Sequence, residues 1–326
     1  MKKKLRKIRY LIEYSVIIFF FYTIRCFPLN VLLFFAEIIG TILYLIPSFR
    51  KLCIANIKIA FPEKTYCEIR KIARLSLQNI SKTVIELFWF SGRQSYLYSI
   101  MKNPDEGVEL TRKSMKEGGM IWISPHIGNW ELAAFNISFA AKLPFAVLVR
   151  PQNNPYINTL IVNSRTSSGN KVIFEKGAVK EMIKTLKKGY FLAVLIDQNT
   201  RVRDGGIFVN FFGLPVPTSR AIAFFARKMK VNIALGGCLR DVKGYKMFSK
   251  ELPKKVIDYK TDEELVQDIM KMTEDIVREY PEQYLWLYKR WQYIPEGASS
   301  ELRSKFPYYS SDTTPRFYDK TAKKNA

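Results

Sequence analysis

Residues 120–141 read MIWISPHIGNWELAAFNISFAA, a short apolar run followed by a polar turn and a second apolar stretch with helical spacing. The first five residues predict a buried strand, and the stretch from Trp130 predicts a helix. Similar units follow, with candidate strands at 145–149, 171–174, 190–196 and 233–239 and candidate helices at 154–167, 177–188 and 218–229. This alternation predicts an α/β fold with a mostly parallel central sheet flanked by helices.

Two further helical regions flank these units. Residues 51–91 have a helical pattern interrupted by a turn at 61–65, and apolar residues recur close to every 3.6 positions after that turn. Residues 261–280 predict a last helix that ends before Pro281. The expected order is therefore helices, then the α/β units, then a closing helix.

The start of the chain predicts a membrane anchor. Residues 2–9, KKKLRKIR, carry six basic side chains and precede an apolar run at 14–24. A second apolar run at 29–47 is about long enough to cross roughly 30 Å of hydrocarbon. No small-residue cleavage site follows the first run, so we expect an uncleaved anchor rather than a signal peptide. Basic residues flank both runs, which leaves open a single crossing, a hairpin, an in-plane anchor and a buried helix pair.

The composition narrows the classes of partner. The chain has 52 Lys and Arg, 29 Asp and Glu and one His, giving a net charge of +23, and 48% of its residues are hydrophobic. So much apolar surface excludes disorder for most of the chain. The excess charge predicts an anionic partner, and without a recognisable nucleic-acid-binding signature we favour an anionic membrane surface or an acidic carrier protein over nucleic acid. Four cysteines without a CxxC pair predict no zinc site and reduced thiols.

These patterns divide the chain into three regions. Residues 1–48 form the basic N-terminus and membrane anchor, residues 49–295 form the main domain with a mostly parallel sheet, and residues 296–326 form a polar, flexible tail.

The single histidine, His126, is the candidate catalytic group. It directly follows a predicted strand and precedes a predicted helix, and ligand sites of open α/β sheets lie beyond the carboxyl ends of strands. A neutral imidazole suits a general base near pH 7, and the adjacent helix N-terminus disfavours its charged form. The sequence has no G-x-S-x-G turn to supply a nucleophile. We therefore expect direct transfer, in which His126 deprotonates an acceptor hydroxyl that attacks an activated acyl carbonyl.

Two carboxylates compete to orient the His126 ring. Glu131 follows five residues later, but residues five apart on a helix lie about 140° apart around its axis, so contact would need an irregular turn. Asp197 follows the apolar run 191–196 and should lie at the same edge of the sheet. We expect Glu131 in the site, with Asp197 as its rival for orienting the ring. If Asp197 orients His126, Glu131 would pair with an arginine such as Arg165.

Other residues near this edge are candidates for binding substrate. Gly128 and Asn129, within the turn after His126, would allow close approach by substrate. Arg150 ends a predicted strand and could clamp a phosphate bidentately. Gln198 could donate to an oxyanion or bind a sugar hydroxyl, unless backbone N–H groups near Gly128 serve the oxyanion. Arg290 is either a headgroup ligand or a surface charge near the anchor.

A basic stripe is predicted on one helix. Its lysines recur at helical spacing opposite an apolar side, and they are Lys176, Lys180, Lys184, Lys187 and Lys188. Such a stripe is either a solvated face or a docking surface for acidic carrier protein or anionic lipid.

The box HIGNWE, His126–Glu131 in an H-x4-E pattern, is accompanied by ordered blocks over roughly residues 10–295. These blocks are Asn56-Ile57, Phe61-Pro62-Glu63, Arg150-Pro151, Asn153-Asn154-Pro155, Arg165, Asp197-Gln198, Phe211-Phe212-Gly213, Pro281-Glu282-Gln283-Tyr284 and Arg290-Trp291. In these features the chain resembles the late (lauroyl/myristoyl) acyltransferases of lipid A biosynthesis, within the lysophospholipid acyltransferase-like superfamily. One departure is Tyr288, which stands where the family often has a histidine in W-x-H-x-R, and it bears on the acceptor rather than on the reaction type.

The resemblance implies a function. It implies transfer of a fatty acyl chain from acyl carrier protein to a hydroxyl of a lipid A precursor, forming an acyloxyacyl group, with no metal or organic cofactor. It also implies a bacterial inner-membrane enzyme whose catalytic domain faces the cytoplasm, which favours a hairpin or in-plane anchor. Two alternatives remain: acylation of another glycolipid or lysophospholipid, of the phosphatidylinositol mannoside or lysophosphatidate type, and a catalytically dead, membrane-tethered lipid-binding protein.

Overall fold

A computed structural model describes residues 2–167, 169–174, 178–242 and 244–321. The helices are α1 (Lys2–Cys26), α2 (Leu29–Leu45), α3 (Pro47–Ala60), α4 (Tyr66–Phe90), α5 (Gln94–Ile100), α6 (Val108–Lys116), α7 (Trp130–Ala141), α8 (Pro155–Thr166), α9 (Ala178–Leu186), α10 (Ala221–Met229), α11 (Asp262–Glu279), α12 (Ser300–Ser304) and α13 (Pro315–Tyr318). The strands are β1 (Met120–Ser124), β2 (Phe145–Val149), β3 (Lys171–Phe174), β4 (Phe191–Leu195), β5 (Gly206–Phe211), β6 (Leu214–Ser219), β7 (Asn232–Asp241), β8 (Gly244–Glu251), β9 (Tyr293–Ile294) and β10 (Ser311–Asp312).

The central sheet has six strands in the order β3-β2-β4-β1-β7-β8. The first five run parallel, and only β8 pairs antiparallel, with β7. The predicted α/β fold with a mainly parallel sheet between helices is therefore confirmed, and each strand predicted from the sequence is present. The order places β1 in the middle, so its carboxyl end faces two neighbouring strands.

The edge strand β8 and the hairpin of β5 and β6 were not predicted from the sequence. Strand β8 reads GYKMFSKE, a mixture of apolar and polar residues that suits a partly exposed antiparallel edge strand. The hairpin of β5 and β6 contains Pro215 and Pro217, which made the segment look like a loop. Both prolines are tolerated because this two-stranded ribbon lies outside the central sheet.

The sheet separates two apolar layers. Along β1, Ile121 and Ile123 point into the layer that holds α4, α10 and α11, whereas Trp122 points toward α7. This alternation follows from the two-residue period of a strand. The site described below lies where β1 ends and the chain turns into α7.

The two N-terminal helices pack on the body of the protein. Helix α2 lies along α4 and buries Leu32, Ala36 and Tyr44. Helix α1 is held by side chains of the main domain: the Asn154 amide donates to the carbonyl of Tyr10 at 2.8 Å. Their outer faces remain exposed and strongly apolar, with Leu5, Ile8, Leu11, Ile12, Val16, Phe19, Phe20 and Tyr22 on α1 and Val31, Phe34, Phe35, Ile38, Ile39, Ile42 and Leu45 on α2.

None of the described helices is, taken alone, both long and apolar enough to cross a membrane. Helices α2 and α3 reach that length and composition only as a pair bent by 89°.

The C-terminal segment differs from the loose tail that was expected. Residues 300–318 contain α12, β10 and α13, and β10 pairs parallel with β9. Phe317 is buried, and its ring lies 4.7 Å from that of Tyr293. The segment is polar overall, so its composition predicted a loose tail, but a few aromatic side chains such as Phe317 hold it against the domain. Residues 322–326 of the predicted tail lie outside the described residues.

Candidate functional site

His126 lies at the carboxyl edge of the central sheet, beside Asp197. Strands β1 and β4 are parallel neighbours, and Ser124 pairs with Leu195. His126 follows Ser124 by two residues and Asp197 follows Leu195 by two residues, so both side chains reach the same point at the edge of the sheet. Nδ1 of His126 lies 2.6 Å from Oδ1 of Asp197, and the main-chain N–H of His126 donates to Oδ2 at 2.9 Å. Of the two competing carboxylates, the structure brings Asp197 to the ring.

Glu131 makes a different contact. It lies in the first turn of α7 and accepts two hydrogen bonds from the Arg165 guanidinium, the one from Nε being 2.9 Å long. The alternative pairing considered from the sequence is thus the observed one: Glu131 lies on α7 and contacts Arg165, whereas His126 lies before the turn that leads into this helix. This bidentate pair joins α7 to α8 beside the site.

The environment of Asp197 favours its ionised form. Burial alone would raise the pKa of this carboxyl group, but the His126 ring, the hydrogen bonds from His126 and the charge of Arg290 together lower it. Tyr284 is buried next to the carboxylate, and burial together with the charge of Asp197 raises the pKa of its phenol well above the ordinary value. An ionised Asp197 accepts the Nδ1 proton of a neutral imidazole and leaves Nε2 as the basic nitrogen.

The other ring nitrogen of His126 points toward an exposed side chain. Nε2 lies 3.4 Å from the amide nitrogen of Gln198, which is exposed at the surface. The imidazole also packs edge-on against the indole of Trp130, with ring centroids 4.9 Å apart. His126 itself is only 7% exposed, so Nε2 is reached past these two side chains.

Gly128 and Asn129 have roles inside the protein, contrary to the expectation that they approach substrate. Gly128 has φ +58°, and a Cβ there would lie 2.0 Å from the carbonyl oxygen of Cys238. Glycine is thus required by packing against β7. The Asn129 side chain is fully buried; its oxygen caps α7 by accepting from the N–H groups of Glu131 and Leu132. The backbone N–H groups of Gly128 and Asn129 donate to protein carbonyls, so they are not the oxyanion donors considered from the sequence.

Arg290 is a buried charge and not the surface charge considered from the sequence. It is 2% exposed, and its guanidinium donates to Asn199 Oδ1 at 2.8 Å and to the hydroxyl of Thr218. Burial is the main reason that the pKa of Arg290 is lowered. The Tyr288 hydroxyl accepts a hydrogen bond from the N–H of Asn199 at 2.9 Å. These residues support the loop that carries Asp197.

Arg150 and the basic stripe stay at the surface. Arg150 follows β2 directly and is exposed, as expected for a group at the sheet edge. Lys180, Lys184, Lys187 and Lys188 are also exposed, whereas Lys176 lies outside the described residues.

An apolar cavity lies under α7, between that helix and the sheet. Its volume is about 80 Å³. Ser124, Trp130 and Glu131, all within five residues of His126, line its near end together with Arg165. Apolar side chains line the rest of it, among them Trp122, Phe135, Phe145 and Met247. Gly236 of β7 makes room for Trp122, because a Cβ at that position would lie 2.1 Å from the indole.

Sequence reasoning missed a buried ion pair between Glu86 of α4 and Arg240 of β7. A signal was present, because Asn79, Thr83 and Glu86 form a polar row at helical spacing on an otherwise buried face of α4. In the parts of the chain that the structure describes, no group of three His, Cys, Asp or Glu side chains could hold a metal ion.

Comparisons with known proteins agree with the residues quoted from the sequence. A family model described as bacterial lipid A biosynthesis acyltransferase matches residues 1–293. The chain is 27% identical over 259 residues to a lipid A biosynthesis lauroyltransferase of Escherichia coli (strain K12), which covers 75% of this chain and 79% of that protein. It is 25% identical over 254 residues, with the same coverage, to a lipid A biosynthesis palmitoleoyltransferase of that organism and to a lipid A biosynthesis acyltransferase of Shigella flexneri.

Proposed function

Since the chain belongs to the bacterial lipid A biosynthesis acyltransferase family, we propose that it transfers a fatty acyl chain from acyl carrier protein to a hydroxyl of a lipid A precursor, with His126 as general base. The protein is an acyltransferase, and its relatives support acyl transfer to lipid A. The donor, the acceptor hydroxyl and the role of His126 are the finer parts of the proposal.

The contact between His126 and Asp197 is the observation that carries the proposal. An imidazole held at Nδ1 by an ionised carboxylate has its tautomer fixed, and the carboxylate stabilises the positive charge that forms when Nε2 takes a proton. This is the arrangement that a general base needs. It supports proton abstraction by Nε2 without a covalent enzyme intermediate.

The reaction then has two steps. Nε2 of His126 removes the proton of the acceptor hydroxyl, and the oxygen attacks the thioester carbonyl to form a tetrahedral oxyanion. The carbon–sulfur bond then breaks, and the thiolate leaves with the proton held by the imidazolium. The products are an ester on the acceptor and the free thiol of acyl carrier protein, and His126 returns to its neutral form. Gln198 lies next to Nε2 and is our candidate donor to the oxyanion.

The cavity under α7 suits the acyl chain. Its lining is dominated by apolar side chains, and its near end includes Ser124 and Trp130, which flank His126 in the sequence and in space. Burying an alkyl chain there gains roughly 0.8 kcal/mol per methylene group. In this arrangement the large side chains of the lining, such as Trp122 and Phe145, set the chain length.

Charged residues around the site suit anionic substrates. The Glu131–Arg165 pair lies at the near end of the cavity, where it fixes α7 against α8. Arg150 at the exposed sheet edge is our candidate ligand for a phosphate group. The exposed lysines on α9 and just after it, Lys180, Lys184, Lys187 and Lys188, are our candidate docking surface for acidic acyl carrier protein, whose attraction to them weakens with salt.

The outer faces of α1 and α2 suit a membrane surface. They expose a large set of aliphatic and aromatic side chains, and α1 also exposes Arg6, Lys7 and Arg9. Both helices are bound along the main domain, which favours an anchor lying in the interface of an anionic membrane over a crossing. A lipid A precursor and a cytoplasmic acyl donor would then meet at the cytoplasmic face of the inner membrane.

The test uses the full chain purified in detergent. It is incubated with lauroyl and palmitoleoyl thioesters of acyl carrier protein and with a lipid A precursor, lysophosphatidate or a phosphatidylinositol mannoside, and the products are read by mass spectrometry. We expect one added acyl chain on the lipid A precursor and none with His126→Ala. Preferred acylation of lysophosphatidate or the phosphatidylinositol mannoside would contradict the proposal that the acceptor is a lipid A precursor. An unchanged rate for His126→Ala would contradict the proposal that His126 is the general base.

A further inference from the structure

The ion pair between Glu86 and Arg240 lies behind the turn that follows His126. Glu86 has no exposed surface, and the side chain of Arg240 is 13% exposed. The guanidinium meets the carboxylate through two nitrogens, with Nε 3.1 Å from Oε1. Glu86 accepts a further hydrogen bond from the hydroxyl of Tyr245 at 2.7 Å, so its oxygens are well satisfied.

Both residues of the pair form hydrogen bonds with the turn that follows His126. Nη1 of Arg240 donates to the carbonyl of Gly128 at 3.0 Å, and Oε2 of Glu86 accepts from the side-chain amide of Asn129 at 2.6 Å. Thr83 also donates to the Gly128 carbonyl, at 3.1 Å. One charged pair thus fixes the peptide after Gly128 and the residue that caps α7.

The main chain around Arg240 fixes the same turn from a third side. The side chain of Gln283 accepts from the N–H of Arg240 and donates to its carbonyl, each at 2.9 Å. The carbonyl of Gln283 in turn accepts from the N–H of Gly128 at 3.0 Å, and the N–H of Leu285 donates to the carbonyl of His126 at the same distance. The orientation of the His126 backbone is therefore tied to Arg240.

We infer that Glu86 and Arg240 are positioning residues for the acyl transfer, acting through the turn at Gly128 and Asn129 on His126. This inference rests on the proposed function. A buried ion pair gives little net stability over apolar side chains of the same size. Its value here is geometric, because a general base displaced by about 1 Å loses rate by roughly 100-fold. Neither residue touches the His126 ring in the structure.

The test compares Glu86→Gln, Arg240→Met and the double variant with the unaltered protein. Acyl transfer from lauroyl-acyl carrier protein to the lipid A precursor gives kcat and the KM of the donor, and thermal unfolding gives Tm. Each single change leaves a buried partner uncompensated, so both Tm and kcat should fall, kcat by about tenfold or more at an unchanged KM. The double variant removes both charges, so Tm should recover while kcat stays low.

The control is the ion pair of Arg227 and Asp262, which joins α10 to α11 away from the turn. The corresponding double change, Arg227→Met with Asp262→Asn, should leave kcat within twofold. In a His126→Ala background, Glu86→Gln should not lower the residual rate further, because the group it positions is gone.

Two results would overturn the inference: recovery of kcat together with Tm in the double variant, or single variants that keep kcat within twofold. If the single variants do not fold, Tyr245→Phe tests the inference instead, because it removes one hydrogen bond from Glu86 and leaves both charges in place. A several-fold loss of kcat in this variant supports the inference, and an unchanged kcat overturns it. An inactive unaltered protein would instead count against the proposed function.

Discussion

His126 and Asp197 are 71 residues apart in the sequence, and their side chains meet at 2.6 Å because they follow paired positions of two parallel strands. The contact makes Asp197 the group that orients the imidazole. The carboxylate of Glu131, the acidic member of the HIGNWE box, forms an ion pair with Arg165. The two carboxylates therefore have separable tasks, and substitution should separate them.

Replacing each carboxylate by its amide tests this division. Asp197→Asn should lower kcat by roughly 10³- to 10⁴-fold, because an amide donor in place of the carboxylate favours the wrong imidazole tautomer. Glu131→Gln should lower it only by about tenfold, through a looser contact with Arg165. The reverse order of the two effects, measured as kcat on the same donor and acceptor, would make Glu131 the orienting group.

The acid stability of the protein should depend on Asp197. Its pKa is lowered in the folded state, so the stabilisation that it contributes is fully present above the unfolded value of about 3.9 and is lost as the pH falls through the folded value. Urea unfolding midpoints measured from pH 6 to pH 3 should fall more steeply for the unaltered protein than for Asp197→Asn. Parallel curves would mean that the carboxyl group is not held in its ionised form.

The length of the transferred chain should depend on Trp122. Its indole lines the cavity and is held in place by a hydrogen bond from Nε1 to the hydroxyl of Thr111 at 3.0 Å. Trp122→Ala should shift the preference toward longer acyl chains when mixed acyl carrier protein thioesters compete, at a cost in stability of about 3–5 kcal/mol.

A matched control for this change is Trp89→Ala. Trp89 is a buried tryptophan that does not line the cavity, and its Nε1 donates to the carbonyl of Phe27. It should lower Tm without altering the distribution of chain lengths. An unchanged distribution for Trp122→Ala would remove the cavity from the account of the acyl site.

Binding to membranes should depend on the outer faces of α1 and α2. Phe19→Asp combined with Phe34→Asp places two charges on exposed apolar positions, so vesicles containing anionic phospholipid should bind the protein at least tenfold more weakly. Tm should hardly change, because both side chains are more than half exposed. Val242→Asp, at an exposed position on the turn between β7 and β8, is the control. Equal binding by the unaltered and doubly substituted proteins in flotation assays would exclude this surface as the anchor.

The parts of the fold that follow local patterns could be predicted from the sequence. Strands β1, β2, β3 and β4 are short, mostly apolar runs between helical segments. Strand β8 could not be recognised in this way, because a half-exposed edge strand has the composition of a surface loop.

The site was predicted in part for a similar reason. That His126 and Asp197 both follow strands could be read from the sequence, but their contact depends on β1 and β4 being neighbours, which only the sheet order decides. The burial of Arg290 and the pairing of Glu86 with Arg240 join segments far apart in the chain. The polar row on α4 marks Glu86, but no local pattern identifies Arg240 as its partner or predicts the burial of Arg290. Asn129 was mistaken for a binding residue, although asparagine before a helix is a common cap.

The rate of acyl transfer by His126→Ala tests the central claim most directly. Single-turnover transfer from lauroyl-acyl carrier protein to the lipid A precursor is followed by mass spectrometry at pH 7.5, with the protein in excess. Thermal unfolding first establishes that the variant and the unaltered protein have the same Tm. The account predicts a loss of at least about 10³-fold, since removal of a general base held by a carboxylate eliminates proton transfer from the hydroxyl. A rate within tenfold of that of the unaltered protein would contradict it.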